Sequence, residues 1–149
     1  VALPLIVIFY AHTPDALETV LETFKAPASS KLICVFGCGG NRDAGKRPLM
    51  GAVASKLADV VMVTSDNPRD ETPEAIIEDI LKGMHGNYMV EEDRAKAILV
   101  SILSAKSNDI VLIAGKGHEE YQEIKGKKHH FSDIEQAKDV LKIYAEAGV

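Results

Sequence analysis

Four short apolar runs constrain this chain most: Leu5–Phe9, Leu32–Phe36, Val60–Val63 and Ile110–Ala114 are continuously apolar rather than alternating. A strand with one wet face alternates, whereas a continuous run suits a strand covered on both faces of a parallel sheet. Parallel neighbours need long crossovers, and between the runs lie helical patterns with recognisable starts. Thr13-Pro14 and Thr72-Pro73 each place a capping hydroxyl before a proline at the first helical position, and Pro48 opens a third helix. Val90 to Ala105 predicts a fourth helix, and the capping box Ser132-Asp133-Ile134-Glu135 leads into a last one over Ile134 to Ala147. Lys125-Gly126-Lys127 reads as a hairpin turn. The expected class is α/β: one doubly wound, mostly parallel, Rossmann-like sheet with helices on both faces and a hairpin near one edge. A chain of 149 residues is long enough to bury a core of its own.

Composition removes several function classes. A net charge of −5 without a basic stripe argues against nucleic acid as a partner. No apolar run reaches the roughly 20 residues of a membrane span. Val1 to Phe9 is apolar but lacks the basic flank and cleavage site of a signal peptide, so residues 1–9 are read as a linker or a first strand. Cys34 and Cys38 are the two cysteines and are expected to be reduced thiols of a cytoplasmic protein.

Polar chemistry collects in the loops that follow the runs: Tyr10 to Pro14, Gly37 to Arg47, Ser65 to Glu71, and Gly115 to Glu119. In a parallel sheet these loops converge at the carboxyl edge, where open α/β sheets bind ligands. Asp66-Asn67-Pro68-Arg69 packs an anion, an amide, a rigid turn and a guanidinium into four positions, which suits the grip of a zwitterionic amino acid. The glycine-rich loop fails two nucleotide patterns. Arg47 stands where a phosphate loop needs a magnesium-holding hydroxyl, and Arg42 where a dinucleotide fingerprint needs its third glycine. What remains is a loop that carries Arg42, Lys46 and Arg47 toward a helix N-terminus, either for an anion or as solvated charge. His12 and His118 lie on converging loops without a ligand set beside them, so no metal site is expected; His85, His129 and His130 read as exposed imidazoles. Tyr10 either packs the strand end or faces the site, and Asp43 either caps its own loop or takes part.

Five ordered motifs carry a family resemblance: Tyr10-Ala-His-Thr-Pro-Asp-Ala-Leu17, Val35-Phe-Gly-Cys-Gly-Gly-Asn-Arg-Asp43, Gly45-Lys-Arg-Pro-Leu-Met-Gly51, Ser65-Asp-Asn-Pro-Arg69 and Ala114-Gly-Lys-Gly-His-Glu119. From residue 10 to residue 149 the chain resembles the C-terminal, amino-acid-binding domain of Mur ligases, above all that of the member that adds the third residue of the peptidoglycan stem. The resemblance implies contact of Arg42, Asp66, Asn67, Pro68, Arg69, Gly115 and Glu119 with meso-diaminopimelate, and approach of Tyr10 and His12 to the nucleotide. It implies an ATP-dependent ligase in cell-wall biosynthesis with UDP-N-acetylmuramoyl-L-alanyl-D-glutamate as co-substrate. ATP and magnesium would be held mainly by the family's central domain. That central ATPase domain and the N-terminal UDP-sugar domain have no counterpart in these 149 residues, so the chain reads as one excised domain, inactive alone. Phe9 departs from the pattern, since the family usually has an aspartate there, expected on the nucleotide ribose. Two rivals stand beside this: a stand-alone amino-acid-binding or regulatory module without catalysis, and a nucleotide-binding domain built on the glycine-rich loop.

Overall fold

The structure, a computed structural model, describes residues 2–25 and 27–147. Val1, at the start of the expected linker or first strand, and residues 148 and 149 of the expected domain lie outside the described residues. The chain runs β1 (Leu5–Phe9), α1 (Pro14–Thr23), β2 (Leu32–Phe36), α2 (Lys46–Leu57), β3 (Val60–Val63), α3 (Pro73–Leu81), β4 (Tyr88–Val90), α4 (Arg94–Ser104), β5 (Ile110–Ala114), β6 (Tyr121–Ile124), β7 (Lys127–His130) and α5 (Asp133–Glu146). Five strands form a parallel sheet in the order β1-β5-β2-β3-β4, and β6 and β7 form a separate antiparallel hairpin.

Continuous apolar strands make two cores. Leu32, Cys34 and Phe36 of β2 point to the face packed by Leu17, Val20 and Leu21 of α1, Met50 and Ala54 of α2, and Ile76, Ile77 and Ile80 of α3. Ile33 and Val35, one step out of phase, point to Ala97, Ile98 and Ile102 of α4 and Ala137, Val140 and Tyr144 of α5. Each such side chain removed from water stabilises the fold by about 1.5 to 3 kcal/mol, which is why the central strands tolerate no polar face.

The caps form as the sequence predicts at three helices: Thr13, Thr72 and Ser132 accept from the backbone N–H of Ala16, Ala75 and Glu135. Three expectations change. The second helix begins at Lys46, so Pro48 sits inside its first turn, where a missing N–H still costs nothing. Val90 is not helical: Tyr88–Val90 pairs with β3 as a fifth, edge strand, and Asp93 caps the helix at Arg94. Three residues are too short for a period to show, so the apolar start of this segment merged with the helix behind it. β1, expected to be buried, is only partly so: it is an edge strand paired only with β5, with Val7 packed on one core and Ile6 and Ile8 on the other, and its ends Leu5 and Phe9 are exposed.

Candidate functional site

The loops after β1, β2, β3 and β5 meet at the carboxyl edge of the sheet around a polar cleft of about 410 Å³. That is within the range of sites for small ligands, about 300 to 1,000 Å³. Its lining includes Tyr10, His12, Arg42, Asp66, Asn67, Arg69 and Glu119, seven of the nine residues expected in the site, together with Lys46 and Tyr121. Pro68 and Gly115 do not line it; they shape it. Pro68 is buried, and a side chain on Gly40 would run into its carbonyl, so the glycine-rich loop lies flat against the turn. Gly115 has φ +129, a conformation open to glycine, and a Cβ there would stand 3.2 Å from Asp66 Oδ2.

The hairpin closes the site from above. Arg69 is bridged to Ile124 across the two sheets: its N–H donates to the Glu123 carbonyl at 3.0 Å and its own carbonyl accepts from Lys125 N–H at 2.8 Å. These bonds hold Arg69 at φ +52, a left-handed conformation that costs a non-glycine residue about 1 to 2 kcal/mol. Its guanidinium donates to the Gly40 carbonyl at 2.9 Å and pairs with Glu123 Oε1 at 3.3 Å, and its Nη2 has no hydrogen-bond partner among the described residues.

Beneath lies a charge network whose centre, Asp66, Lys116 and Arg94, is fully buried. Asp66 is 1% exposed, its Oδ1 lies 2.9 Å from Lys116 Nζ, and its Oδ2 lies 3.9 Å from His12 Nδ1. The lysine contact is an ion pair by distance, while neither Asp66 oxygen has a well-aligned hydrogen-bond donor. Burial pushes the Asp66 carboxyl up, but Arg94, Lys116 and His12 more than offset it and hold the group below its ordinary value. His12 Nε2 and Glu119 Oε1 are likewise buried without partners. Burial lowers the His12 imidazole despite Asp66 and Glu119, so it is neutral at neutral pH. Asp66 Oδ2, His12 Nε2 and Glu119 Oε1, without hydrogen-bond partners at one cleft, form a place for a polar ligand.

Two of these groups, Arg94 and Lys116, were not expected. Arg94 makes a bidentate pair with Asp133, both bonds 2.8 Å, and donates to the carbonyls of Ser65 and Ala114 at 3.0 and 3.3 Å. It thereby ties α4 and α5 to the ends of β3 and β5. A signal for it existed, since Arg94 is in phase with the buried stripe Ala97, Ile98, Ser101 and Ile102 of its helix. Arg47 is in phase in the same way with Met50, Gly51 and Ala54, and its expected exposure to an anion is overturned. It is buried, paired with Glu71 at 2.7 Å and Asp79 at 3.0 Å, and donates to the Gly39 carbonyl. Of the basic trio, Lys46 and Arg42 remain on the cleft. His118 is exposed, and no three metal-ligating side chains come together among the described residues. Cys34 and Cys38 are unpaired and buried, and burial pushes each thiol up to about 12.

Residues 2–117 match the family described as "Mur ligase, glutamate ligase domain". The chain is 59% identical over 140 residues to the UDP-N-acetylmuramoyl-L-alanyl-D-glutamate–2,6-diaminopimelate ligase of Pseudomonas aeruginosa, covering 93% of this chain and 29% of the relative. A solved structure of a ligase of that same name superposes with a TM-score of 0.88 at 46% identity, over 94% of this chain and 29% of the other. The Escherichia coli FolC structure in complex with ADP shares the fold at a TM-score of 0.54 and 22% identity, over 94% of this chain and 29% of that one.

Proposed function

Because the chain belongs to the Mur ligase family, we propose that it binds and positions meso-diaminopimelate for an ATP-dependent ligase that extends UDP-N-acetylmuramoyl-L-alanyl-D-glutamate in peptidoglycan biosynthesis. What supports this most is the buried Asp66 carboxylate, paired through Oδ1 with Lys116 but with no partner within hydrogen-bond distance at Oδ2, on a cleft that also holds Arg69 and Arg42. A buried carboxylate left this way is costly unless a ligand completes it. Asp66 and Glu119 suit an ammonium; Arg69 and Arg42 suit carboxylates, which a guanidinium can grip through two parallel bonds. Asn67 offers its amide beside them, Pro68 and Gly115 set the backbone, and Tyr10 and His12 face the nucleotide.

The chemistry asked of the ligase is amide formation. The γ-phosphate of ATP passes to the terminal carboxylate of the stem peptide, the amine of the amino acid attacks the resulting acyl phosphate, and phosphate leaves. On this reading ATP and magnesium are held mainly by the family's central domain. This domain contributes position. Holding an amine in line with an acyl carbon can lower a barrier by several kcal/mol.

The test is calorimetric titration of the chain with meso-diaminopimelate, lysine and ATP separately. Binding of meso-diaminopimelate, with lysine at least about tenfold weaker, is expected, because lysine leaves a carboxylate-seeking guanidinium without its partner. Equal affinity for the two amino acids, or none for either, would overturn it.

A further inference from the structure

Lys116 lies in the loop after β5, beside the cleft, yet its side chain is fully buried and does not reach the ligand space. Its ammonium donates to Asn67 Oδ1 at 2.8 Å and to the Tyr121 carbonyl at 3.0 Å, and lies 2.9 Å from Asp66 Oδ1. Asn67 Oδ1 accepts a second bond, from Glu123 N–H at 2.9 Å. Gln122 Nε2 donates to the Asp66 carbonyl at 2.7 Å, so β6 is stitched to the clamp at neighbouring points.

We propose that Lys116 is the positioning residue of the clamp: it joins Asp66, Asn67 and the first strand of the hairpin into one unit, and by occupying Asn67 Oδ1 it turns the amide so that Nδ2 faces the cleft. The clamp then presents fixed polarities, an acceptor at Asp66 and a donor at Asn67, which match the ammonium and a carboxylate oxygen of a bound amino acid. A free asparagine could turn either end to a ligand. The inference rests on the amino-acid reading for its functional consequence, while the positioning itself does not. The charged and titratable groups that face Asp66 are Lys116 from the β5 loop, Arg94 from α4, His12 from the β1 loop and the Cys38 thiol from the β2 loop. Glu119 and Lys46 face His12 in turn.

The experiment uses the 149-residue chain, isotope-labelled for NMR, as wild type, Lys116→Met and Lys116→Gln. In the wild type the Lys116 ammonium should give an Nζ–H resonance in slow exchange with water, unlike a surface lysine. In Lys116→Met, exchange of the Glu123 amide should speed up by more than about tenfold while the Leu112 amide in the core stays protected, and affinity for meso-diaminopimelate should fall by about tenfold or more. Lys116→Gln keeps donors and removes the charge. It should hold Glu123 protection nearer the wild type, and affinity should be lost at a higher pH as acid is added, because Asp66 then protonates more readily. A Lys116 ammonium that exchanges like an exposed one overturns the proposal without any variant, as does a Met variant that keeps both Glu123 protection and affinity. If Glu123 loosens while even the wild type ignores meso-diaminopimelate, the positioning stands and the amino-acid reading falls.

Discussion

Arg69 is where sequence and structure meet most directly. Its place after β3 made it a candidate, and the structure gives it a left-handed backbone, a bond to Gly40 and a partner in Glu123. With a second carboxylate on meso-diaminopimelate where lysine has hydrogen, Arg69→Ala is expected to weaken meso-diaminopimelate by about 2 kcal/mol and leave lysine almost unchanged. Calorimetry of both ligands on both proteins checks this; an unchanged affinity ratio removes Arg69 from specificity. Asp66 and Asn67 were legible for the same reason, since a loop that follows a buried strand faces the carboxyl edge whatever its neighbours are. Lys116 was not. A lysine between two glycines reads as solvated charge, and only the approach of Asn67 and Tyr121 from distant segments turns it inward. The phosphate-loop near-miss has its physical answer in Arg47, which is anchored to two carboxylates rather than offered to an anion.

Among elements, the two buried arginines stand in different surroundings and should behave differently. Arg94 and Asp133 are both fully buried, so Arg94→Met strands a carboxylate in the core and should cost about 3 to 5 kcal/mol. Arg47 faces Glu71 and Asp79, whose side chains are 35% and 29% exposed and can take water in its place. Arg47→Met should therefore cost less, about 1 to 3 kcal/mol. Denaturant unfolding of the two variants decides it, and equal losses would mean that the exposure of the partner is not what matters. Element types were legible wherever a capping residue marked a start, as at Thr13, Thr72 and Ser132. They failed at Tyr88–Val90, where three residues pair with β3 through backbone bonds that leave no periodic trace.

For the whole molecule, acid should act through the carboxylates that the fold holds ionised. Glu71 lies below its ordinary 4.5 because Arg47 and the Asn41 N–H bond it, Asp79 lies below 3.8 because Arg47 and Lys82 do, and Asp66 lies below 3.8. Each folded value is depressed, so the folded state binds fewer protons than the unfolded one, and the stability is complete above about pH 4.5 and lost as pH falls through the folded values. Thermal unfolding across that window should show the midpoint falling steeply on the acid side, and in Arg47→Met the slope should be shallower; an unchanged slope would remove Glu71 and Asp79 from the effect. The strand order also bears on how the chain reaches this state. β1 pairs in register with β5, Leu5 against Ile110, so two segments about a hundred residues apart must meet before either the sheet edge or the Tyr10–Pro14 loop is in place. Loop closure over that distance is a folding-rate cost, and at a synthesis rate of about 5 to 20 residues per second the nascent β1 waits about 5 to 20 seconds for its partner to emerge. His12 is therefore expected to reach Asp66 late, only after β5 has emerged to pair with β1.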